Sequence, residues 1–306
     1  MLFRSIFAIT LLSAGDVFKF GKKYLNSYSY TAKESYEDDE FPKSTADNAI
    51  IQDKDPNFRV WNTSSMEESR TSYYHKSIGG YHPAKLGIYD DLISYQFKGR
   101  VNFPVINMLN TKYFIIDQGN DKVFQPNKDA LGNCWLVNEV KWVNGPAEEM
   151  KAISVPEEGK LVSDEVFNPK QTAVIDQKFK SAITSFSPSD STDYIKMTQF
   201  DNDAISYESN TKGNRLAVFS EIYYKDWNAY IDGKKMPFAK ANYVLRAMVI
   251  PAGQHKIEFK FEPQSFFIGR KVASVASWLV FILLIGGMIA QWKQSQSIST
   301  EEKPKV

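Results

Sequence analysis

The sequence predicts an α+β chain: a small mixed α/β domain, then an antiparallel β-sandwich of jelly-roll style, then one C-terminal transmembrane helix. Three observations carry this. Val272 to Ala290 runs without a charge, with Ser274 and Ser277 as its only polar side chains. At ~1.5 Å per residue it spans roughly 28 Å as a helix, close to a hydrocarbon core. His255 to Glu262 alternates Ile257, Phe259 and Phe261 with Lys256, Glu258, Lys260 and Glu262, the period of a half-buried antiparallel strand. Upstream, short helix and strand signals mix without a βαβ rhythm.

Composition bounds the rest. Apolar residues make up 43% of the 306, with 16 Tyr and 21 Phe, enough for a real core. Lys and Arg total 37 against 36 acids, so no basic field supports a nucleic-acid partner. Cys134 is the single cysteine, which excludes an internal disulfide and a Cys-cluster metal site.

In chain order, residues 1–15 form an apolar segment, Leu2 to Ala14. It is short for a span and reads as a signal peptide or as the end of a membrane helix. Residues 16–35 form a polar connector. An α+β domain follows over 36–189. In it, Ser44 and Asp47 have capping-box spacing for a short helix through Ile51, and Phe58 to Trp61 suggests a strand. Pro104 starts a helix ahead of a strand from Lys112 to Ile116, and Cys134 to Val143 reads as one further strand. Gly145 and Pro146 open a helix, and Thr172 to Asp176 is a short strand.

The sandwich covers 190–263, with Asp232 and Gly233 as a tight hairpin turn and Pro251 to Gly253 as a second turn. The membrane helix with its lead-in spans 264–292; Trp278 and Trp292 suit the interface, while Arg270, Lys271 and Lys293 can anchor the two ends of the apolar run. A polar tail occupies 293–306. Because Lys303 and Lys305 match the cations before the span, charge leaves the orientation open.

No catalytic constellation emerges. His75 and His82 share SYYHKSIGGYHPAKL, but Gly79 and Gly80 separate them and the spacing fits no metal motif; structural hydrogen bonding outweighs a hydrolase reading. The acids Asp38, Asp39 and Glu40, the pair Asp90 and Asp91, and the pair Glu148 and Glu149 read as solvated or helix-terminal charge. No phosphate loop, G-x-S-x-G or H-E-x-x-H occurs, and no cofactor is expected. Tyr223, Tyr224, Trp227, Tyr230 and Tyr243 crowd one region, where core packing outweighs a sugar platform. The candidate binding residues are Tyr74, His75, Lys76, Tyr81, His82, Lys85 and Trp227, with a polar-aromatic groove expected around Tyr74, His75, Tyr81 and His82.

Four segments in register, Ser72–Leu92, Asn107–Ile115, Ala130–Val140 and Leu216–Pro263, ahead of a membrane helix, resemble the C-terminal portion of bacterial YfhO-family membrane proteins of the Bacteroidetes type. The resemblance runs from about Asp16 through the membrane helix. It implies a polytopic, glycosyltransferase-like protein of the cytoplasmic (inner) membrane whose C-terminal part is extracytoplasmic. Such proteins are associated with sugar transfer to cell-envelope polymers from an undecaprenyl-phosphate carrier. Implied partners are membrane lipid, the multi-span body of the same protein, and an envelope glycopolymer or undecaprenyl-linked sugar. The family's catalytic loop has no counterpart here, so no catalytic residue carries over, and Leu2–Ala14 reads as the end of a preceding helix. Lys225 and Asp226 stand where relatives often show Pro-Gly before the Trp. The alternative is a stand-alone, membrane-anchored carbohydrate- or protein-binding module.

Overall fold

The computed structural model describes residues 2–33, 35–36, 41–99, 101–155 and 166–301. The acids Asp38, Asp39 and Glu40 and the tail residues Lys303 and Lys305 lie outside them. Contacts divide the chain into two compact units, residues 1–83 with 111–128 and residues 84–110 with 129–306. The border expected at 189/190 therefore falls inside the second unit.

In the first unit, α1 (Leu2–Tyr24) continues ten residues beyond the apolar stretch. The polar composition after Asp16 suggested a connector, but Lys19, Lys22 and Lys23 are good helix formers and no proline interrupts them. Helix α2 (Thr45–Ile50) starts with the reciprocal cap that its spacing suggests. The Asp47 amide donates to Ser44 Oγ (3.2 Å), and the Ser44 amide donates to Asp47 Oδ2 (2.9 Å). Strand β1 (Arg59–Asn62) is followed by the short helix α3 (Ser69–Tyr74). β1 pairs in parallel with β2 (Thr111–Gln118), which pairs antiparallel with β3 (Asp121–Pro126). Ala46, Ile50, Val60 and Ile115 form the core between helix and sheet.

The second unit opens with α4 (Gly87–Gln96) and α5 (Phe103–Met108), the latter with Pro104 in its first turn. Two sheets follow. One has six strands in the order β4-β9-β13-β12-β6-β5, the other five in the order β11-β10-β14-β8-β7. Their ranges are β4 (Cys134–Val137), β5 (Glu139–Val143), β6 (Thr172–Asp176), β7 (Tyr194–Phe200) and β8 (Ala204–Thr211). They continue with β9 (Arg215–Phe219), β10 (Trp227–Ile231), β11 (Lys234–Met236), β12 (Ala239–Ala241), β13 (Leu245–Ile250) and β14 (Gly253–Phe261). Helix α6 (Gly145–Ile153) lies between β5 and β6 in the chain.

The sheets enclose one core, in which Ala217, Phe219, Met248 and Ile250 of the first meet Ile205, Tyr207, Ile257 and Phe259 of the second. The Phe219 and Phe259 rings meet edge-on at 4.9 Å. Burying each stabilises by about 2–3 kcal/mol. The alternation read from His255 onward is what brings Ile257 and Phe259 into this core. Asp232 (φ 49°) and Gly233 (φ 79°) are both left-handed, the backbone of a tight hairpin turn between β10 and β11.

The single strand expected over Cys134–Val143 is two strands. β4 pairs with β9 and β5 with β6, at opposite edges of the six-stranded order. The break is Asn138, whose amide donates to Gln171 O (2.9 Å) while its Oδ1 accepts from the Ser189 amide (3.0 Å). Only one residue separates the two edge strands, so the chain passes from one edge of the order to the other at Asn138.

A buried ion pair braces this sheet from α6. Glu149 is fully buried and bonds the Lys240 ammonium, which also donates to Tyr243 O (2.8 Å). Glu149 Oε1 accepts from the Tyr243 amide (2.9 Å). Asn242 (φ 50°) and Tyr243 (φ 72°) are adjacent left-handed residues, a conformation that costs about 1–2 kcal/mol each without glycine. The carboxylate thus satisfies the backbone that the strain presents. Burial pushes the Glu149 carboxyl up and the Lys240 ammonium down, each opposed by its partner.

Two residues separate β14 from helix α7 (Gln264–Glu301), and residues Gln264–Gln294 are long and apolar enough to cross a membrane. The run Val272–Ala290 lies within it, and none of its side chains is buried against the protein.

Lys240→Met strands a buried carboxylate and is expected to cost about 3–5 kcal/mol. The double variant Glu149→Gln, Lys240→Met keeps an acceptor for the Tyr243 amide and should recover more than half of that. Thermal and urea unfolding of the detergent-solubilised chain measure both; losses that simply add would refute the coupling.

Candidate functional site

The residues singled out from sequence are divided between the two units. In the first unit, Tyr74 donates its hydroxyl to Phe41 O. His75 is turned inward, its side chain 3% exposed, with Nε2 2.8 Å from Asp47 Oδ1. It therefore braces the start of α2. Lys76 donates to Asn57 Oδ1 (2.7 Å). Tyr81 is 73% exposed and His82 is exposed. Lys85 belongs to the second unit, where it faces Asp90 at 3.7 Å.

The first unit also explains an acidic sequence that looks like a cation loop. Asp53, Asp55 and Asn57 alternate, but the Lys112 ammonium sits between the two carboxylates at 2.6 and 3.1 Å. Tyr113 donates its hydroxyl to Asp53 (2.7 Å). Burial alone would raise the Asp53 carboxyl, yet the Lys112 and Tyr113 hydrogen bonds outweigh it and bring it to about 2. Asp47 behaves alike: the bonds from His75 and Ser44 overcome burial and lower it to about 2.

Of the seven residues, Trp227 alone lines the cavity that the second unit forms beside its membrane-helix end. The cavity measures about 310 Å³, and Leu86, Asn202, Glu221, Ile222, Tyr224, Trp227, Arg246 and Phe261 line it. Three features build it. Arg246, on β13, is buried and donates Nε and one terminal nitrogen to Ile222 O (3.1 and 2.9 Å), fixing the β9–β10 loop. Its guanidinium stacks over the Trp227 ring at 4.1 Å. Phe261 contacts both Trp227 (5.5 Å between centroids) and Tyr224 (6.2 Å).

The loop is tied to the start of the helix. The Glu262 amide donates to Asp226 O (2.8 Å), and the Glu262 carboxylate accepts from Asn228 (2.7 Å) and the Tyr230 hydroxyl (2.7 Å). Phe261 lies three residues before Gln264, within roughly 10 Å of chain. The other aromatics of the cluster divide: Tyr243 is buried, Tyr223 and Tyr230 are half-buried, and Tyr224 is 39% exposed. Sequence reasoning missed Arg246 and Glu221. The available signal was a lone arginine inside the apolar run Leu245–Ile250, whose burial demands a partner.

His255 stands at the opposite end of β14. Nδ1 is 2.6 Å from Asp232 Oδ2 and Nε2 is 3.1 Å from Ala252 O. Two acceptors for two ring nitrogens favour the imidazolium, and the Asp232 bond raises the His255 pKa. Both nitrogens are thereby committed to structure. Cys134 is no nucleophile, since burial pushes its thiol up to about 12.

Residues 168–273 match the model of the family described as Bacterial membrane protein YfhO. Over these residues the chain is similar to that family. The YfhO region runs from just before β6 into α7 and contains every residue of the cavity lining except Leu86. Neither the curated proteins nor the solved structures give a significant match.

Asp226 (φ 70°) has a left-handed backbone, a conformation that glycine adopts without strain. Asp226→Gly is expected to stabilise the chain by about 0.5–1 kcal/mol, read as a raised unfolding temperature; a loss would refute the strain argument. The depressed Asp47 and Asp53 carboxyls stabilise the first unit above their unfolded value of 3.8 and lose that contribution as pH falls toward about 2. Hydrogen exchange of β1 and β2 amides, corrected for intrinsic rates, should stay constant from pH 7 to 5 and accelerate below pH ~4.

Proposed function

We propose that this chain is the extracytoplasmic C-terminal region of a YfhO-like membrane protein serving lipid-linked sugar transfer to cell-envelope polymers, and that the Trp227 cavity receives one pyranose of donor or acceptor. The observation that carries the reading is the cavity itself. Its volume suits a single sugar ring, and its lining combines aromatic faces (Tyr224, Trp227, Phe261) with the polar groups of Asn202, Glu221 and Arg246. Aromatic faces take the apolar side of a pyranose, and polar side chains take its hydroxyls.

The role is binding and orientation. The lining contributes one carboxylate, Glu221, whereas acid–base glycosyl chemistry needs two converging ones. The catalytic acid would belong to the multi-span body that the family resemblance implies. A stand-alone anchored carbohydrate-binding module would use the same cavity in the same way. The two readings differ in whether transfer activity depends on it.

Titration of the full chain in nanodiscs with short-chain polyprenyl-phosphoryl glucose and N-acetylglucosamine, followed by saturation-transfer NMR, tests the proposal. Binding is expected, with Trp227→Ala weakening it about tenfold, the equivalent of one lost stacking contact of ~1.4 kcal/mol. Equal binding by wild type and Trp227→Ala would overturn the assignment of the cavity.

A further inference from the structure

The junction between sandwich and membrane helix carries an inference independent of the sugar reading. Residues Gln264–Gln294 number 31, or roughly 46 Å of helix at ~1.5 Å per residue, against a hydrocarbon core of about 30 Å. About ten residues therefore lie outside the core. The uncharged run starts at Val272, so most of the excess is Gln264–Lys271. That segment is built for an interface. Phe266 and Phe267 are exposed, and the Arg270 guanidinium lies 5.9 Å from each ring. Lys271 follows, and no acid occurs from Gln264 to Gln294.

The β9–β10 loop is fixed at the same level by the bond from the Glu262 amide to Asp226 O, and it presents the exposed pair Tyr224 and Lys225. The acids nearby are Glu221, Asp226 and Glu262, with exposed Asp201 and Asp203 on the β7–β8 turn, where Asp203 O accepts the Phe261 amide (2.8 Å). Asn228 and Tyr230 take up the Glu262 carboxylate, and Glu221 lines the cavity. The outward cations are thus Lys225, Arg270 and Lys271.

We propose that Tyr224–Lys225 and Phe266–Lys271 form one collar that seats the sandwich on a layer of anionic phospholipid headgroups. The three cations meet the phosphates, and Phe266 and Phe267 enter the boundary with the acyl chains. The cavity, whose wall includes Tyr224, is thereby set at headgroup depth.

Hydrogen exchange of the full chain in nanodiscs tests this, comparing phosphatidylcholine alone with phosphatidylcholine plus phosphatidylglycerol. Amides of residues 221–226 should exchange about fivefold more slowly in the anionic discs, the factor that one cation near such a surface supplies. In Lys225→Gln, Arg270→Gln, Lys271→Gln the difference between discs should vanish while exchange in β13 stays unchanged, which shows the sandwich folded. Equal exchange of 221–226 in both discs, with wild-type protein, would overturn the collar. That result leaves pyranose binding at Trp227 untouched, so the two proposals fail separately.

Discussion

Strand β14 buries Ile257 and Phe259 on one face, carries exposed Gln254 and Lys256 and half-buried Glu258 and Lys260 on the other, and is followed almost at once by the helix α7. That short junction constrains everything around the cavity. Because Ile257 and Phe259 fix β14 in the sandwich core, Phe261 and Glu262 have a defined position at its end. Glu262 then holds three partners from neighbouring chain, the Asp226 carbonyl through its amide and Asn228 and Tyr230 through its carboxylate. A flexible linker here would decouple the loop from the helix. With two residues instead, whatever positions α7 also positions the cavity.

The polar interior follows a second logic. Glu149 with Lys240, and Asp53 with Lys112, place opposite charges where burial would otherwise be costly. In each case one partner also bonds backbone or a tyrosine. The Glu149 carboxylate serves the left-handed Tyr243, and the Asp53 carboxylate accepts the Tyr113 hydroxyl. These carboxylates look reactive in a list of residues, yet each is saturated by its neighbours. Among the described residues that line the cavity, Glu221 is the one carboxylate.

Local signals were legible in the sequence. The Ser44–Asp47 cap, the Asp232–Gly233 turn, the alternation along β14 and the apolar run of α7 each depend on residues a few positions apart. The partition of the chain was not. Residues 84–110 join a unit whose remainder starts at Asp129, and β4 and β5 sit at opposite sheet edges although one residue separates them. Such pairings are decided by contacts distant in sequence, which periodicity does not encode. The site divides in the same way. Trp227 announced itself as an aromatic beside a hairpin signal. Tyr74, His75 and Lys76 carried suitable chemistry but spend it on Phe41, Asp47 and Asn57, partners that no spacing rule connects to them.

Arg246 shows why the cavity persists as a shape. A guanidinium inside an apolar strand is tolerable only if its donors find acceptors, and two of its bonds go to one carbonyl, Ile222 O. Those bonds pull the β9–β10 loop toward β13 and leave the planar face of the guanidinium against Trp227. The indole is therefore stacked against the guanidinium, contacts Phe261 and lines the cavity. An aliphatic residue at 246 would fill the same strand position without anchoring the loop, and the loop would be free to fold over the indole. The cavity is thus the geometric consequence of burying one arginine next to one tryptophan, at the end of the sandwich from which the membrane helix departs.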